Sequence, residues 1–225
     1  MTKDEVIEYI KSNYNEENVR GMARFGISPV NTFGVSMPML RSLAKVIGKD
    51  HRLALELWET GIHEARILAA LTDDPRLVTP PQMEKWVCDF ESWDVCDQTC
   101  SNLFDKTPFA YRKAHEWSLR PEEFVKRAGF VLMAALAVHN KKADDEMFLE
   151  FLSVIEREAC DERNFVKKAV NWALRQIGKR KLGLMAPAKK TAERILKLDS
   201  KSARWIARDA LRELNDEKIL ARIKE

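Results

Sequence analysis

Glycine and proline are scarce, with 8 of each in 225 residues. That leaves little material for long linkers, so a single domain over 1–225 is expected. No apolar run approaches the roughly 20 residues of a membrane-spanning helix. The opening Met1-Thr2-Lys3-Asp4-Glu5 lacks the apolar core of a secretory signal. A cytoplasmic protein without membrane contact is expected. Cysteine is limited to Cys88, Cys96, Cys100 and Cys160, and the four histidines are scattered. Cys96 and Cys100 lie one helical turn apart and could hold half of a metal site. A second ligand pair of suitable spacing is missing, so the cysteines read as reduced thiols. Neither a metal nor a cofactor is expected. Persuasive apolar–polar alternation, the mark of a strand, is missing as well.

What is present is apolar and charged. Hydrophobic residues make up 45% and charged residues 32%, the balance of a globular core with an ion-rich surface. The net charge is only +3, but it is unevenly spread. Residues 163–212 carry 15 Lys and Arg against Glu193, Asp199 and Asp209, a local +12 that leaves −9 for the rest. One face built for a polyanion would explain this, and so would ordinary solvated helix surface.

Helical periodicity runs from end to end. Val6, Ile7 and Ile10 form an apolar stripe. Residues 30–35 read as a loop, after which Ser36 starts a helix through Leu40 and Leu43, with Pro38 in its first turn. Helices follow over 53–58 and 65–71. Thr79-Pro80-Pro81-Gln82 has the spacing of a capping box. Further helices are expected over 93–104, 110–117, from Pro121 to 139, 144–160, 164–179, 186–198 and 201–214, with a short tail over 217–223. The chain reads as all-α.

Four of these helices share a pattern in which a basic residue precedes an Ala-Leu pair. The members are Arg66 with Ala70-Leu71, Arg127 with Ala135-Leu136, Lys168 with Ala173-Leu174, and Arg204 with Ala210-Leu211. The pairs are separated by 65, 38 and 37 residues, and the first gap is close to two units. A period of roughly 35 to 45 with two helices per unit marks a HEAT-like or armadillo-type α-α superhelix. In such a solenoid the basic residues would line a concave face.

Ser92-Trp93-Asp94-Val95-Cys96-Asp97 stands out. Ser92 suits a helix N-cap, and Trp93 and Asp97 then share one face, a turn apart. Trp is usually buried and Asp seldom is, so the pair suggests an aromatic wall with a negative charge at its edge. Trp172 lies on a later helix beside Lys168 and Arg175, and the two helices are expected to face one groove. Trp58, Trp86, Trp117 and Trp205 read as core.

Trp93-Asp94-Val95-Cys96-Asp97, Lys126-Arg127-Ala128 and Phe165 through Arg175 together resemble the AlkD family of DNA alkylation-repair glycosylases. Phe33-Gly34-Val35 through Leu40-Arg41 resembles that family's early segment, and the likeness spans roughly Val6 to Leu214. Met22 to Ile27 departs from the family's aromatic-rich version. The resemblance implies a HEAT-like superhelix holding double-stranded DNA with alkylated bases on its basic concave face. It implies excision of cationic N3- and N7-alkylpurines without base flipping. Trp93 and Trp172 would be the site tryptophans, Asp97 the catalytic carboxylate and Arg127 a contact to the DNA backbone. Lys168, Arg175 and Lys179 would add backbone affinity. A monomer without lyase activity is expected. Two other readings stay open: a non-catalytic binder of damaged or branched DNA, and a protein-interaction scaffold.

Overall fold

The computed structural model describes residues 1–221 together with Ile223. Among them there are fourteen α-helices, one 3₁₀ turn and no strand. The backbone divides into two compact units, Met1–Thr107 and Pro108–Glu225.

The first unit holds α1 (Lys3–Ser12), α2 (Glu16–Ala23), α3 (Met37–Ile47), α4 (His51–Trp58), α5 (His63–Thr72), α6 (Pro80–Cys88), α7 (Trp93–Asn102) and the 3₁₀ turn Phe104–Lys106. Helix α5 packs on α3, α4 and α7. Its Ala65, Ala69 and Ala70 are fully buried, and their small side chains let neighbouring helices approach. Trp58 and Trp86 stack face to face with ring centroids 3.9 Å apart, joining α4 to α6.

The second unit holds α8 (Ala110–Ser118), α9 (Glu123–His139), α10 (Asp145–Glu158), α11 (Asn164–Gly178), α12 (Leu182–Leu196), α13 (Lys201–Leu214) and α14 (Glu217–Leu220). These form successive pairs, α8 with α9, α10 with α11 and α12 with α13. The second members also pack in series, α9 on α11 on α13. Helix α9 is buried from Val125 almost without break to Ala137. A Cβ on its Gly129 would lie 2.6 Å from the backbone nitrogen of Ser118, so glycine is what lets α8 and α9 meet.

Polar side chains join one repeat to the next at a fixed sequence offset. In the first unit the offset is 31: Glu64 accepts from the Phe33 N–H, Trp58 Nε1 donates to Asp89, and His63 meets Asp94. In the second it is 38: Arg127 to the Phe165 carbonyl, Asn171 to Asp209, Arg194 to Glu156 and Ser200 to Glu162. The second offset matches the later Ala-Leu spacings of 38 and 37 residues, while twice the first falls three residues short of the 65-residue gap.

Three local expectations need correction. Helix α2 was not anticipated, although Asn15 caps it by accepting the Asn18 N–H at 2.9 Å and Glu16 and Glu17 sit in its first turn. Helix α12 starts at Leu182 and passes through Pro187 instead of beginning near it, at the loss of one backbone bond. The capping box at Thr79 is one-sided. Thr79 Oγ1 accepts the Gln82 N–H at 3.3 Å, but the Gln82 amide donates to Asp73 at 2.7 Å.

Candidate functional site

Ser92 holds the N-cap of α7 in extended backbone, yet its hydroxyl does not close the helix end. It bonds the carboxylate of Asp94 instead. Asp94 also accepts the Val95 N–H at 3.0 Å and faces His63 Nε2 at 2.9 Å. Burial pushes the Asp94 carboxyl up, and the bonds from His63, Ser92 and Val95 outweigh it, holding the group below the usual carboxylate range. The ionised side chain lies in the first turn of α7, where the positive end of the helix dipole favours it.

These contacts fix the start of α7, and with it Trp93. The indole Nε1 of Trp93 donates to the carbonyl of Phe25 at 3.1 Å. Its N–H is therefore committed, and the ring can offer only its faces. Trp93 lines a cavity of about 640 Å³ together with Met22, Phe25, Leu40, Ile67 and Asp94. Phe25 is 69% exposed. Asp97 follows one turn after Trp93 on the same helix and is half-buried. On α7 the carboxylate that lines the cavity beside Trp93 is Asp94, while Asp97 stands one turn further along the helix.

The other wall of the cavity rests on a buried carboxylate. Glu64 accepts the N–H groups of Phe33 and Gly34, the latter at 2.6 Å. Gly34 has φ +74, and a Cβ there would lie 2.3 Å from the Asn15 carbonyl. Asn18 donates to the Gly34 carbonyl at 2.8 Å. Residues 33–35 are therefore clamped between α2 and α5. Neither His63 nor Glu64 stood out in the sequence, since each meets its partner about 30 residues away.

In the second unit, Lys168, Trp172 and Arg175 ride on α11, and Lys179 is its C-cap. Lys168 is exposed and Trp172 half-buried. Arg175 and Lys179 both pair with Glu213 of α13, and Arg175 also lies 3.6 Å from Asp209. Burial pushes the Glu213 carboxyl up, but Lys179 and Arg175 outweigh it and hold it low. Arg127 is only 5% exposed, and its Nη1 donates to the Phe165 carbonyl at 2.6 Å. The adjacent Lys126 pairs with Glu158 at 2.7 Å and Asp161 at 3.4 Å. Another of the repeated basic residues, Arg66, reaches the Asp89 carbonyl at 3.0 Å.

Trp58, Trp86 and Trp117 are buried as expected, but Trp205 is not: 41% of it is exposed. Cys96 and Cys100 are buried side by side, and burial first, then Cys96, pushes the Cys100 thiol well up. Among the described residues, no three His, Cys, Asp or Glu gather as metal ligands. No described helix is long and apolar enough to cross a membrane.

Serial helix pairs tied at a fixed offset define a HEAT-like repeat protein. A solved structure with the same fold supports the class. It is described as "A new family of proteins related to the HEAT-like repeat DNA glycosylases with affinity for branched DNA structures". It is 19% identical, with a TM-score of 0.78 over 94% of this chain and 95% of that one. The model of the DNA alkylation repair enzyme family matches residues 6–214, and the chain belongs to that family. A search of curated proteins gives no match.

Proposed function

We propose that the protein is a monofunctional DNA glycosylase that hydrolyses the N-glycosidic bond of cationic N3- and N7-alkylpurines in double-stranded DNA. The observation that carries this reading is Trp93 and Asp97 one turn apart on α7, in a chain whose family is DNA alkylation repair. An alkylated purine already bears positive charge and leaves as a neutral base, so no general acid is needed. What must be stabilised is the sugar as it becomes an oxocarbenium ion. At about 4 Å and an effective dielectric near 20, one carboxylate attracts it by about 4 kcal/mol, roughly 10³-fold in rate. Asp97 supplies that charge and orients the attacking water. The π-face of Trp93 favours the developing cation, and Trp172 of α11 is the second aromatic residue that the family likeness assigns to the reaction.

The enzyme acts at the sugar without flipping the base. It selects by the lesion's charge and the weakness of its bond, not by base-edge contacts. Lys168 supplies direct phosphate attraction, with Arg175 and Lys179 on the same helix adding to it, while Arg127, buried on the Phe165 carbonyl, holds α9 to α11. The protein works as a monomer and needs no cofactor.

The test is release of free base from duplex DNA containing N7-methylguanine. The wild type is expected to release it, and Asp97→Asn to bind equally but release roughly 10³-fold more slowly. Equal release by both would remove Asp97 from the mechanism. A second reading, a non-catalytic binder of branched DNA, is favoured by what the similar solved structure is said to bind. It predicts tight binding to junctions with no base release by either protein.

A further inference from the structure

Trp205 is the one tryptophan of six whose placement neither a core nor the proposed site explains. It stands on α13, 41% exposed. Lys201, Arg204, Trp205, Arg208 and Arg212 recur at helical spacing and line one groove of about 460 Å³. Lys167 of α11 places its ammonium 5.2 Å from the Trp205 ring centroid. The carboxylate within the groove, Asp209, is already engaged: it accepts from Asn171 at 2.7 Å and pairs with Arg212 and Arg175. Arg204 pairs with Asp199 at the solvent edge, while Arg208 is exposed and has no ion-pair partner among the described residues.

Burying an indole would gain transfer free energy, yet here it stays in water among cations. A duplex backbone offers phosphates but no base faces. An unpaired strand offers both, and aromatic rings within a basic groove are how such strands are held irrespective of sequence. An acidic peptide would satisfy the cations but leave the indole without a stacking partner.

We infer that the Trp205 groove binds unpaired nucleotides, one base stacking on the Trp205 indole while Lys201, Arg204 and Arg208 meet the flanking phosphates. The chain would thus hold a single-stranded overhang or gap beside a duplex. This rests on the reading that the protein binds DNA.

The experiment compares affinities for a blunt 12-base-pair duplex and for the same duplex bearing a five-thymidine overhang. Wild type, Trp205→Ala and Trp205→Phe are measured at one salt concentration. The overhang is expected to tighten wild-type binding on the order of tenfold. Trp205→Ala should lose that gain yet keep its affinity for the blunt duplex, and Trp205→Phe should recover part of the gain. Ile206 and Ala207 are fully buried and anchor this turn of α13, and the blunt-duplex affinity of Trp205→Ala, with the Trp205→Phe variant beside it, checks that the fold is kept. An overhang that adds nothing in the wild type overturns the inference. So does a Trp205→Ala variant that weakens both duplexes equally, or polyglutamate displacing the overhang better than free oligothymidine. Base release from a blunt alkylated duplex is read separately. It should be unchanged in Trp205→Ala, so failure of the glycosylase reading and failure of this one give different results.

Discussion

His63 Nε2 lies 2.9 Å from Asp94 Oδ2, joining the first turn of α5 to the first turn of α7. Asp94 titrates below its ordinary value of 3.8 in the folded protein. A depressed carboxyl stabilises the fold above its unfolded pKa, and that contribution is lost as pH falls through the folded one. Asp94→Asn is therefore expected to cost about 1–3 kcal/mol at pH 7. The gap to wild type should close as pH drops below about 4. Urea melts between pH 3 and 7 measure it, and a gap that does not change with pH would contradict the assignment.

The clamp on residues 33–35 should be intolerant of change. Gly34→Ala forces a Cβ onto the Asn15 carbonyl at positive φ, at an expected cost of about 3 kcal/mol or more. Glu64→Gln turns an amide N–H toward N–H donors and should cost about 1–3 kcal/mol. Denaturation midpoints at constant m-value report both. A neutral Gly34→Ala would mean that the loop can retreat from α2.

Lys168 and Arg127 should fail in different ways. Lys168 is exposed. Lys168→Gln is expected to leave stability within about 0.5 kcal/mol, weaken duplex binding and reduce the salt slope by roughly 0.9. Arg127 is buried on the Phe165 carbonyl. Arg127→Gln should cost about 1–3 kcal/mol of stability. Thermal melts alongside a salt series separate the two, and an Arg127→Gln protein as stable as wild type would contradict the buried role.

Glu213 holds down two cations that the DNA reading needs. Glu213→Gln removes the charge that pairs Lys179 and the nearer of the two carboxylates at Arg175, which keeps Asp209 at 3.6 Å. Lys179 should become free for phosphates, so duplex affinity is expected to rise and the salt slope to steepen by about one. Unchanged affinity would show that Lys179 does not reach the backbone of bound DNA.

The helices and their repeat were legible because apolar spacing and Ala-Leu pairs are local signals. The Trp93–Asp97 face was legible for the same reason: both residues lie on one helical turn. His63, Glu64 and the Phe25 carbonyl were not, because they join the site from α5 and from the turn after α2, far from α7 in sequence. Trp205 misled by composition, since an indole at helical spacing among alanines resembles core. Only the neighbouring helices decide which side of α13 is covered. Arg175 and Lys179 looked free because their partner, Glu213, lies 34 to 38 residues further on. Helix α2 is short, and its single buried residue, Val19, gives no periodic signal.

The recurring polar ties, 31 residues apart early in the chain and 38 later, bear on how such a protein can be damaged or enlarged. Each tie of this kind joins neighbouring repeats, so an injury there loosens those two first. Hydrogen exchange in a variant such as Asp94→Asn should accelerate in a patch bounded by single repeats. By the same logic, duplication of one whole repeat would reproduce its own wiring, and such chains can gain length without new rules of assembly.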